Sequence, residues 1–161
     1  MARFRDPRIQ TLSGSTENGT WNLIGGTFDP DTGIISAGDQ PQFTGDPLFS
    51  GEYTVVGNIC HFGIDVDMDN IDDFGTGQYY MMLPFQVKHN IILSDGCLHD
   101  FSTGNQYAVL GHVVEGSDKM NLFSIGSNGL HIPFSDSDNS PIKLAKQDNF
   151  HISGTYEIFE S

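Results

Sequence analysis

Basic residues are scarce in this chain. Its 161 residues include seven Lys and Arg against 21 Asp and Glu, a formal net charge of −14. A body of that sign repels phosphate backbones and anionic lipid, which argues against a nucleic-acid or membrane partner. Long apolar runs are missing as well. Nothing approaches the ~18 residues of a membrane-spanning helix, and no apolar segment follows the basic start, so no secretory signal is read there. Cysteine occurs twice, at Cys60 and Cys97, too few for a disulfide framework. Without an export signal, two thiols point to assembly in a reducing cytosol. Cys60 falls on the apolar side of a strand and reads as a small buried hydrophobe. Helix signals are also rare. Only Ser140-Pro141 followed by residues 142–147 fits an N-cap, a proline at the first helical position and one or two turns.

What the chain does have is glycine, 19 residues of it, together with 12 Phe and 5 Tyr to fill a thin core. The clearest periodicity runs from Cys60 to Met68. Cys60, Phe62, Ile64, Val66 and Met68 alternate with His61, Gly63, Asp65 and Asp67, the period of a strand with one buried face. Gln78 to Leu83 is a second strand, ended by Pro84. Phe85 to Leu93 and Cys97 to Phe101 read as two strands around an Asp95-Gly96 turn. At the end of the chain Phe150, Ile152, Tyr156 and Ile158 point in, His151, Ser153, Thr155 and Glu157 point out, and Gly154 suggests a bulge. Tyr107 to Val114 is apolar on both faces, as in a strand covered from both sides or capped by a neighbouring subunit. About eight to ten short strands with frequent turns predict an all-β fold, a single antiparallel β-sandwich or jelly-roll-like domain. Residues 1–18 read as a basic arm and linker, and 19–161 as the folded domain, with Trp21 as an anchor at the sheet edge.

Catalytic signatures are absent: there is no G-x-S-x-G elbow and no phosphate-binding loop. Asp65, Asp67 and Asp69 open like a calcium loop. However, Asn70 stands where the turn glycine belongs and Thr76 where the bidentate glutamate belongs, so a solvated face is the expected reading and no cofactor is implied. The six histidines form no H-x-H or H-x-x-x-H pair, which gives zinc little support. Either Tyr79 or Tyr80 could stack on a sugar, but alternation places one of them inside. Arg3, Arg5 and Arg8 concentrate positive charge at the N-terminus of an acidic chain and make it a candidate anchor. Tyr107, Val109 and Val113 are candidates for a core or subunit interface.

Several short motifs recur in a fixed order. They are Gly19-Thr20-Trp21, then Gly51 to Asn58 (GEYTVVGN), Gly75-Thr76-Gly77, Leu83-Pro84-Phe85 and Ser153-Gly154-Thr155-Tyr156. Spread over roughly residues 19–158, this series resembles a small β-sandwich module of tailed-bacteriophage structural proteins, found at tail-fibre ends, on head fibres and on capsid surfaces. The resemblance implies a non-enzymatic virion surface protein, assembled in the host cytoplasm as a homotrimer and bound to a major capsid or tail protein. With no repetitive stem before the domain, a capsid decoration or compact virion fitting is expected first. A fibre tip contacting a host surface glycan or protein comes second, and a carbohydrate-active enzyme third.

Overall fold

The computed structural model describes residues 16–20, 27–29, 34–36, 44–45, 48–69, 71–74, 77–135 and 138–160. The arm residues Arg3, Arg5 and Arg8, and Trp21, lie outside them. Among the described residues the chain forms thirteen strands: β1 (Thr16–Thr20), β2 (Thr27–Asp29), β3 (Ile34–Ser36), β4 (Thr44–Gly45), β5 (Leu48–Val56), β6 (Ile59–Asp67), β7 (Ile71–Asp73), β8 (Tyr80–Met82), β9 (Ile91–His99), β10 (Gln106–Val113), β11 (Lys119–Ile125), β12 (His131–Pro133) and β13 (Asn149–Glu157). The first strand begins at Thr16, within the stretch that composition assigns to the linker.

Nine strands make one sheet in the order β1-β5-β6-β13-β9-β10-β11-β12, with β8 also pairing β11. The pairings are antiparallel, and the sheet curls into a half-barrel. Two ribbons, β2-β3 and β4-β7, stand apart from it. The alternation of β6 holds throughout. Cys60, Phe62, Ile64 and Val66 are buried, and Met68 just beyond the strand is buried with them. Their core partners are Phe150, Ile152 and Tyr156 on β13, Leu98 on β9, Val109 and Val113 on β10, and Met120 and Leu122 on β11. Tyr79, Met81, Leu83 and Val87 from the segment around β8 also enter this core.

Three local expectations are corrected. Residues 142–147 are not helical. Ile142 and Leu144 both pack on the core while Lys143 and Ala145 are exposed, so this segment runs at a spacing of two and not of three to four. Gln147 then takes a φ of 73° and turns the chain into β13. Asp95-Gly96 does not separate two strands. It lies inside β9, where the register against β10 shifts between Val109 and Gly111. A Cβ on Gly96 would stand 2.7 Å from the Val109 carbonyl oxygen and 3.1 Å from Ile152 Cγ1, so close backbone approach requires glycine there. Gly154 marks no bulge either, since β13 pairs β6 without a shift from Asn149↔Asp67 to Glu157↔Ile59.

Candidate interaction surface

With its inner face in the core, the sheet presents its outer face to solvent, and that face has two chemically different halves. Over β1, β5, β6, β13 and β9 it is polar and organised by strand register. Thr54 pairs with His61, and His61 with Thr155. The Thr54 hydroxyl donates to Asn18 Oδ1 at 2.6 Å, and His61 Nδ1 meets the Thr155 hydroxyl at 2.8 Å. Four residues along β6, Asp65 faces His151, whose Nδ1 stands 2.9 Å from Asp65 Oδ1. Ser153 donates to Asp95 at 3.1 Å. Between the His61 and Asp65 rows sits Gly63, where an added Cβ would touch nothing within 4 Å. The result is an open depression of ≈ 720 Å³ walled by Asn18, Glu52, Thr54, His61 and Asp65. A second depression of ≈ 380 Å³ continues past Asp65 to Asp67, Cys97, His99 and His151.

The other half, over the start of β9 and over β10, β11 and β12, mixes apolar side chains with Gln106, His112, Asn121 and His131. Alternation turns Leu110 and His112 of β10 away from the core, together with Ile92 of β9 and Phe123 and Ile125 of β11. Leu110 lies directly across from Phe123, and His112 from Ile92. Phe123 also meets the His131 ring, centroids 6.1 Å apart. Ile92 is 60% exposed and Ile125 53%. Tyr80 faces outward too, with Lys119 Nζ 4.2 Å from its ring centroid, while Tyr79 is buried. Of the two tyrosines weighed for sugar stacking, the outward one is thus already occupied by a cation on one side.

Carboxylates brace both ends of the sheet. Glu157 takes Lys88 Nζ and Asn58 Nδ2, each at 2.7 Å, with His89 Nε2 at 3.4 Å. The Lys88 hydrogen bond, and then its charge, hold the Glu157 carboxyl below its ordinary range. At the opposite end Asp148 is buried, accepting from the amides of Ala145 at 2.8 Å and Phe101 at 3.1 Å. Burial raises its pKa. Neighbouring Asp100 closes the next turn by accepting from the Ser102 and Thr103 hydroxyls at 2.7 and 2.6 Å, and these bonds lower its pKa.

The candidate residues fall as follows. Asp65 is engaged by His151, and Asp67 accepts from the Asp69 amide at 2.9 Å. Among the described residues no three His, Cys, Asp or Glu side chains are grouped to hold a metal. Val109 and Val113 lie within the core of the chain, at 1% and 0% exposure, and Tyr107 packs at its edge. On the outer side of β9, β10 and β11, Ile92 and Ile125 are exposed and Phe123 partly so, while Leu110 is buried. Of these only Leu110 lies in the apolar run of residues 107–114; nothing in the sequence singled out Ile92, Phe123 or Ile125. The Asp65–His151 contact had no signal either, because the residues are 86 positions apart.

No protein-family model and no curated protein matches the chain. Among solved structures it is similar to the crystal structure of the Dettilon tailspike protein, a phage protein, with a TM-score of 0.56 and 14% identity over 88% of this chain and 24% of that one. The chain thus spans about a quarter of the tailspike chain, and at this identity the likeness is one of fold.

Proposed function

We propose that the chain is a non-enzymatic structural module of a tailed-phage virion, stationed on the tail side and turning the polar, grooved half of its sheet toward the host surface. The fold likeness to part of a tailspike over 88% of the chain carries this reading. The ordered motifs from Gly19 to Tyr156 support it independently, and they also point to a homotrimer. The depression over Gly63 is rich in acceptors, which suits the hydroxyl groups of a surface glycan. The two-layer packing expected of a sandwich would then be completed between protomers. Arg3, Arg5 and Arg8 remain the proposed attachment to a capsid or tail protein.

Gold-labelled antibody on purified virions tests the position. Label at the tail, with isolated protein slowing adsorption to host cells, is the expected result. Label over the head without competition would make the chain a capsid decoration. Absence from purified particles would end the virion reading, and release of fragments from host polysaccharide would make the module an enzyme.

A further inference from the structure

We propose that Gly63 is the point at which the ligand of the polar half lies on the sheet, and that the group lying there is an uncharged sugar ring. The inference rests on the reading of that half as a glycan-binding face, and adds to it a contact residue and a ligand class.

Glycine weakens the interior of a strand, so its presence there calls for a reason, such as the close approach of another group. Four strand glycines have that reason inside the chain. An added Cβ would stand 2.5 Å from the Tyr53 hydroxyl at Gly19, 2.7 Å from the Val109 carbonyl oxygen at Gly96, against Met120 Sδ at Gly111 and 2.7 Å from Leu93 Cδ2 at Gly154. Gly63 has no such neighbour, since a Cβ there would meet nothing within 4 Å. Its φ is not positive. On both sides β6 pairs through it without a shift, as Glu52↔Gly63 and Ser153↔Gly63. The chain itself would accept a side chain at this position. The missing side chain leaves bare backbone in the ≈ 720 Å³ depression, and the group that approaches it closely comes from outside.

The walls specify that group. Along β6 the flanking side chains on the same face are His61 and Asp65, with Cα atoms about 13 Å apart, which leaves room for a ring between them. Several walls have one polar atom fixed by a neighbour and another left open. Asn18 Oδ1 takes the Thr54 hydroxyl, which leaves its amide N–H groups as donors. His61 engages Thr155 through Nδ1, and Asp65 engages His151 through Oδ1. Sugar hydroxyls donate and accept at once, so they match a set of both kinds, and groups already held in place lose little freedom on binding. Charge narrows the class further. Strands β1, β5, β6, β9 and β13 contain no Lys or Arg, while Glu52 and Asp65 stand on the walls. A phosphorylated, sulfated or uronic-acid ring would meet like charge with no counter-charge. Asn18, Thr54 and His61 make most of the wall neutral, and Asp65 is already engaged, so hydroxyls fit the set better than an ammonium group.

The test is an array of uncharged, acidic and amino-substituted bacterial oligosaccharides. It is probed with the full chain as wild type, as Gly63→Thr and, on the same sheet face outside the depression, as Gln106→Thr. Wild type and Gln106→Thr should bind uncharged oligosaccharides, and Gly63→Thr should lose roughly tenfold or more in affinity. Affinity should change by less than about twofold between ~0.05 and ~0.5 M salt. The thermal midpoint of Gly63→Thr should not fall below wild type, which separates a blocked site from a damaged fold; a lowered midpoint would mean that Gly63 serves the fold and would overturn the proposal. Preference for acidic or amino-substituted sugars overturns the ligand class, and full affinity in Gly63→Thr overturns the contact, each leaving the glycan reading in place. Wild type that binds neither the array nor host polysaccharide ends the glycan reading and this inference with it.

Discussion

Gly154 stands opposite Phe62 in the register of β13 on β6, and the Phe62 ring fills the space that a side chain at Gly154 would need. An added Cβ would lie 3.0 Å from Phe62 Cε1 and 2.7 Å from Leu93 Cδ2. The ring in turn packs edge-on against Tyr156, centroids 5.8 Å apart. Gly154→Ala should therefore overpack the core and destabilise the fold by about 1–3 kcal/mol. Gly63→Ala, on the open face of β6, should cost less than about 0.5 kcal/mol. Urea denaturation of the two variants decides it; equal midpoints would show that Phe62 yields without strain.

Gly154 also shows where the sequence is legible and where it is not. Inward and outward residues of β6 and β13 could be read directly, because period two is a local property and both strands keep it. The role of Gly154 could not, since it depends on Phe62, 92 positions away in the chain and adjacent only through pairing. The same limit applies to 142–147. Ser140-Pro141 is sound start chemistry for a helix, but Ile142 and Leu144 each gain a place in the core by running extended, and tertiary burial outweighs one weak local signal. Asp95-Gly96 has turn composition, yet the glycine is there because Val109 and Ile152 crowd it. The apolar run of residues 107–114 did not say which of its residues would face the core. Only the register of β9, β10 and β11 separates Val109 and Val113 from Leu110.

Asp148 holds two loop amides from inside the fold. Replacing it with Ala leaves the Phe101 and Ala145 N–H groups without their acceptor, at about 1–3 kcal/mol for each that water cannot reach. Asp148→Asn keeps the shape but turns one acceptor into a donor, and should lose about half as much. Hydrogen exchange gives the local check. Both amides should exchange faster in either variant, and unchanged protection would show that the carboxylate is dispensable.

Acid sensitivity should run through Glu157. Its carboxyl is held below the ordinary value of 4.5, first by the Lys88 hydrogen bond. A lowered carboxylate contributes stability that is fully present above its unfolded value and is lost as pH falls through the folded one. Asp100 and Asp138 are shifted the same way, by the Thr103 and Ser102 hydroxyls and by Lys143. Asp148 works in the opposite sense: raised by burial, it favours the fold more when protonated and less as pH rises past its unfolded value. Glu157→Gln should therefore melt below wild type at neutral pH, and the gap should narrow from ~pH 5 down to ~pH 3. A gap independent of pH would mean that the lost contact is not ionic.

Calcium should leave the protein unchanged. Asp65 is taken by His151, and Asp67 by the Asp69 amide. Thermal midpoints in millimolar calcium and in EDTA should coincide, because a ligand that binds only the folded state would raise the midpoint with its concentration. A calcium-dependent rise that disappears in Asp65→Asn would reinstate the aspartate series as a metal site.

The two thiols should behave differently. Cys60 is fully enclosed between the β5 and β13 strands, and burial pushes its pKa up to about 11. Cys97 lies on the outer face beside His151 in register, partly open to the second depression. A thiolate-selective reagent at neutral pH should react promptly with one thiol per chain, and Cys97→Ser should abolish that phase. Cys60 should react only as the sheet opens, at a rate that rises with urea in step with unfolding. Prompt labelling of Cys60 in the native protein would mean that β5 or β13 detaches locally from β6, and that the core is less continuous than its packing indicates.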